Sequence, residues 1–124
     1  MKYTRLNIEG VHKGEAVALT ATATGAAIPE GASFVTVTAT DANHIIKLPA
    51  PVLGLEITLV NGATGYEIRS SDPANITING GKGANAESAV SASTVVIVKC
   101  VGEKAWIGST VAADGTVGVL LAAA

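Results

Sequence analysis

Large aromatic side chains are almost missing, with one Trp, two Tyr and one Phe among 124 residues. Any hydrophobic core must therefore be assembled from Val, Ile, Leu and Ala, which carry less buried area per residue than aromatic rings. Charge is equally sparse: 15% of residues are Asp, Glu, Lys or Arg, and the net charge is −2. Eight scattered basic residues do not form the clustered excess that neutralises phosphates, so no nucleic-acid partner is expected. Cysteine occurs once, at Cys100, which excludes an internal disulfide. Its neighbours Val95, Val96, Ile97, Val98 and Val101 mark it as a small buried hydrophobe, because a reactive thiol needs exposed, electropositive surroundings. No apolar run reaches the ~18 residues that a membrane-spanning helix needs, and no membrane partner is expected. Met1-Lys2-Tyr3-Thr4-Arg5 is not followed by the apolar stretch of a signal peptide, so export by that route is not expected either.

What the chain does have is β-branched residues in short alternating runs. Val35 and Val37 oppose Phe34, Thr36, Thr38 and Thr40, and Ile57 and Leu59 share one face of residues 55–61. Val17, Leu19, Ala21 and Ala23 likewise share one face of residues 16–24, and Tyr66 and Ile68 one face of residues 66–70. Period-two patterning of this kind predicts half-buried strands. Further strands are expected at 44–48, around Ile76 and Ile78, at 94–101, at 105–108 and at 116–121, with residues 84–93 open to a short helix or a β-connection. Turns are predicted at Pro49 and Pro51, at Asn61-Gly62, at Asp72-Pro73 and at Asp114-Gly115; Asn79-Gly80-Gly81-Lys82-Gly83 reads as a mobile hairpin tip. The expectation is one all-β domain over residues 1–124, a sandwich or barrel of about nine or ten short strands. Residues 1–14, where Tyr3 to Glu9 alternate, are a candidate extended N-terminal arm.

No constellation for catalysis or metal binding is readable. His12 and His44 stand without the neighbouring ligands a metal site needs. Asp41-Ala42-Asn43 opens like a calcium loop but lacks the later glycine and glutamate. Gly80-Gly81-Lys82-Gly83 lacks the spacing and the Ser or Thr of a phosphate-binding loop. Ser70, Ser71, Ser88, Ser91 and Ser93 have no nearby histidine, and Gly-x-Ser-x-Gly is absent. Asn75-Ile76-Thr77 matches a glycosylation acceptor but reads as a strand entry without a secretory signal. Trp106 reads as packing, in the core or at a subunit seam, rather than as a sugar platform, which commonly pairs several aromatics. No enzymatic activity and no cofactor are expected.

Residues 44–107 carry a resemblance. A strand ending in Leu48-Pro49, a loop with Gly54, the run Leu55-Glu56-Ile57-Thr58-Leu59-Val60-Asn61, the turn Ile76-Thr77-Ile78-Asn79-Gly80, a Val-rich strand and Trp106-Ile107 follow one another. This order resembles the small β-domains of tailed-phage virion proteins, among them the capsid decoration, or cement, proteins that assemble as trimers. The resemblance covers about half of the chain and rests on turns and patterning. It implies a structural protein on the outer capsid surface of the virion, a homotrimer with the major capsid protein as partner. A fibre base or a receptor- or glycan-binding virion module is the alternative. Composition adds a reason for partners: a compact monomer of 12.3 kDa exposes roughly 6,000 Å², and so few charges cover it. The capsid contact is then expected at Tyr3, Arg5, Leu6 and Ile8, and the trimer interface at Trp106, Val117, Val119 and Leu121.

Overall fold

The computed structural model describes residues 15–81, 83 and 86–122. The expected arm, with Tyr3, Arg5, Leu6 and Ile8, lies outside the described residues. Among the described residues there is no helix and there are twelve strands. In chain order these are β1 (Glu15–Thr20), β2 (Ala26–Ala27), β3 (Ala32–Thr38), β4 (Ile45–Lys47), β5 (Glu56–Asn61) and β6 (Tyr66–Arg69). Then follow β7 (Thr77–Ile78), β8 (Ser88–Val90), β9 (Val95–Gly102), β10 (Ala105–Val111), β11 (Val117–Val119) and β12 (Leu121–Ala122). A seven-stranded sheet runs β1-β3-β5-β9-β10-β11, with β7 also against β10, and a five-stranded sheet runs β12-β8-β6-β4-β2. The domain is an all-β sandwich.

Each step from β1 to β8 changes sheet. Strands two apart in the chain thus become neighbours in space and lie parallel, β1 on β3, β3 on β5, β2 on β4 and β4 on β6. The chain winds through three coils, each contributing one strand to either sheet. β9 and β8 then join antiparallel to β5 and β6 and end the winding. Equivalent positions stack across the coils. Val17, Val35, Leu59 and Val96 form one inward row, and Ala26, Ile46, Ile68 and Ser88 form its counterpart on the other sheet. Val35, Leu59, Val96, Ile46 and Ile68 are fully buried, and each such side chain contributes about 1.5–3 kcal/mol relative to exposure. Tyr66 and Trp106 are the large bodies in this aliphatic core. Burial pushes the Tyr66 hydroxyl well above its usual range.

The inward residues expected at 17, 19, 35, 37, 57, 59, 66 and 68 all point to the core or its margin. Three local readings change. Asn61-Gly62 is no hairpin turn: β5 and β6 belong to different sheets, and neither residue takes a positive φ. Instead the Asn61 amide accepts the Thr94 N–H at 3.0 Å and donates to Thr64 O at 3.0 Å and Ser91 O at 3.1 Å, tying two corners together. The tight turn falls at Asn79-Gly80, where φ is 52° and 84° and Ile78 and Gly81 exchange backbone hydrogen bonds. Positive φ at both central residues is the hairpin geometry that matches strand twist, and it closes residues 78–81 as a tight turn. Residues 116–121 are two strands rather than one, because the chain leaves the seven-stranded sheet after Val119 and enters the other at Leu121. Leu120, between them, turns inward over Gly108, where a Cβ would stand 2.7 Å from Leu120 Cδ2. The segment at 84–93 contributes strand β8, and its anchor Val90 is buried.

Candidate functional site

Several of the polar groups that the sequence singles out are engaged in the fold, whereas the buried atoms His44 Nδ1, Tyr66 Oη, Arg69 Nε and Trp106 Nε1 have no hydrogen-bond partner among the described residues. The Asp41 carboxylate accepts the Asn43 N–H at 2.9 Å, which makes Asp41-Ala42-Asn43 a side-chain-closed turn. Ser70 is buried and donates to Ile76 O at 3.0 Å. Cys100 is buried, with Sγ 3.1 Å from Gly102 O. Among the described residues, no three His, Cys, Asp or Glu side chains come together as a cation site. An open groove of about 420 Å³ lies where the sheets part, lined among others by Ser70, Ile78, Asn79, Glu87, Ser88 and Leu120. Three of its polar side chains have structural partners: Ser70 as above, Asn79 to the chain at Gly108 and Leu120, and Glu87 to Arg69.

One charged cluster sits on the five-stranded sheet. β6 and β8 place Glu67 and Arg69 near Glu87, and Arg69 is ion-paired to Glu87. Desolvation first, then a hydrogen bond with the Glu87 carboxyl and the charge of Glu87, push Glu67 up to about 7. Arg69 opposes the shift, and Asp41 adds to it. A protonated Glu67 donates to the Glu87 carboxylate, so the folded chain holds a proton that the unfolded chain releases at the ordinary value of 4.5. The folded state therefore binds more protons between pH 4.5 and about 7, and stability falls as pH rises through that window. Melting curves from pH 5 to 8 are expected to show this decline, and Glu67→Gln should flatten it. An unchanged slope in the variant would assign it to other groups.

The largest feature without chemistry is the outer face of the seven-stranded sheet. Strand register sets out one row as Ala16, Phe34, Thr58, Ile97, Ser109 and Val119. The row beside it is Ala18, Thr36, Val60, Val95, Val111 and Val117. A shorter third row, Glu56, Lys99 and Ile107, carries the charges. Val117 is 71% exposed, Val119 66%, Ile107 51% and Phe34 40%. Apolar side chains across six adjoining strands make a patch of the kind that marks an interaction surface.

Of the four residues expected at a subunit interface, two belong to this face. Val117 and Val119 stand at its β11 edge. Leu121 is exposed too, but on the five-stranded sheet, because the chain has changed sheets at Leu120. Trp106 is corrected: it points inward beside Cys100, is fully buried by its own chain, and has no surface to offer a neighbour. Phe34, Val60, Val95, Ile97 and Val111 were not singled out as interface residues. The signal for the last strands was present in residues 94–101, where β-branched residues fall on both faces, as in strands covered on both sides.

Compared with known proteins, the chain matches no family model and no curated sequence.

Proposed function

We propose that the chain is a capsid decoration protein of a tailed phage, binding the outer surface of the head as a homotrimer and reinforcing the shell through the major capsid protein. The observation that carries the reading is the apolar outer face of the seven-stranded sheet of a small all-β domain. Binding is the output such a surface supports. The order of turns and strands over residues 44–107 resembles that of the β-domains of virion proteins, and the resemblance is what suggests the partner. A protein that binds the assembled lattice better than free subunits stabilises the lattice by mass action. A cyclic trimer suits a local threefold site, where it makes three identical contacts.

Particles lacking the protein are expected to assemble, yet to release DNA at lower temperature, and at a higher salt concentration as salt is withdrawn, than decorated particles. Adding back the full chain should restore the threshold, and a chain lacking residues 1–9 should bind less well while melting at the same temperature. Equal release thresholds with and without the protein, at full occupancy, would reject the decoration role.

A further inference from the structure

We infer that the outer face of the seven-stranded sheet is the seam at which copies of this chain meet around a threefold axis. The inference rests on the homotrimeric part of the proposed function and names its contact. The charge pattern favours another copy as the occupant. Within the three rows the charged residues are Glu56 and Lys99, which oppose each other across β5 and β9. Among the described residues the ion pair is Arg69–Glu87, so Glu56 and Lys99 are not engaged with each other at ion-pair distance. A face with one charge of each sign at one end, and apolar or hydroxyl side chains elsewhere, is electrostatically complementary to a rotated copy of itself. A strongly charged partner would leave unpaired charge against the valine rows.

Ile97 lies mid-row, flanked by Thr58 on β5 and Ser109 on β10. A lysine there would bring three like charges towards one axis.

The experiment is solution mass by light scattering, on the full chain and on three variants, with folding checked by circular dichroism. The wild type is expected at about three times the chain mass, about 37 kDa. Ile97→Lys is expected at 12.3 kDa, the mass of one chain. Val119→Lys, at an exposed edge position that does not support the core, is expected to shift the equilibrium towards monomer and keeps the test decisive if Ile97→Lys fails to fold. Leu53→Lys, equally apolar and exposed but on the loop between β4 and β5, should remain trimeric. A trimer that persists in both face variants would overturn the seam while leaving the trimer standing. A monomeric wild type whose face variants lose particle binding would overturn the seam and assign the face to the capsid; decoration itself would survive.

Discussion

Replacing Trp106 with alanine is expected to lower the melting temperature by about 10–20 °C, the largest single-residue effect in this chain. The indole is fully enclosed, between the inward rows of the two sheets, and it is the largest side chain in a core that, Tyr66 and Cys100 apart, is made of Val, Ile, Leu and Ala. β-branched neighbours have few rotamers with which to collapse into the space it leaves. The loss is then the transfer term plus most of the cavity term, about 3–5 kcal/mol, against a total stability of about 5–15 kcal/mol for a domain of this kind. Trp106→Phe should recover roughly half of it. Val52→Ala, on an exposed loop, should change stability by less than ~0.5 kcal/mol. Thermal and urea unfolding followed by circular dichroism reads all three, and a Trp106→Ala midpoint within 2–3 °C of wild type would mean that the site repacks.

Asn79→Ala is expected to destabilise by about 3–4 kcal/mol, more than its exposed position suggests. The side chain accepts the Gly108 N–H at 2.8 Å and donates to Gly108 O and Leu120 O, both at 3.0 Å. It thereby fastens the point at which the chain passes from one sheet to the other. Alanine would leave those backbone groups without that partner, and would also hold a φ of 52° that suits asparagine better. The two contributions separate experimentally. Asn79→Gly relieves the backbone term of about 1 kcal/mol but not the hydrogen-bond term, so it should fall between alanine and wild type. Asn79→Asp keeps the acceptor, loses both donors and sets a charge against two carbonyls, so it should be no better than alanine. Urea midpoints that place Asp beside wild type would show that the donated bonds contribute little.

Local chemistry made the strands legible. Alternation placed Val35, Val37, Ile57 and Leu59 on the core side because a strand's side-chain period is independent of what the strand pairs with. Pairing order is different. β1 finds β3 only because the chain between them crosses to the other sheet and returns, and no short window of sequence encodes that excursion. The dipeptide Asn-Gly occurs at 61–62 and at 79–80, and only the second is a tight turn. At the first, the asparagine amide is taken up by residues near Ser91 and Thr94, which a reading of neighbours in sequence does not reach. The same limit separated Val117 and Val119 from Leu121, since the change of sheet at Leu120 depends on Gly108 leaving room for it. Trp106 was legible as a packing residue; its enclosure by its own chain depended on which rows closed over it.

The alternation of sheets also fixes how the chain meets itself as it folds. Until β9 and β10 there is no hairpin between named strands that follow one another, and the parallel partners lie roughly twenty positions apart along the chain. Each such ladder begins by closing a loop, at roughly 3 kcal/mol of chain entropy, before the first hydrogen bonds return anything. β9, β10 and β11 are joined by short turns and face no such barrier. High contact order is thus concentrated in the first two thirds of the sequence and low contact order in the last, which leaves the ribosome after them. The coils are translated first and have the local means to begin folding last.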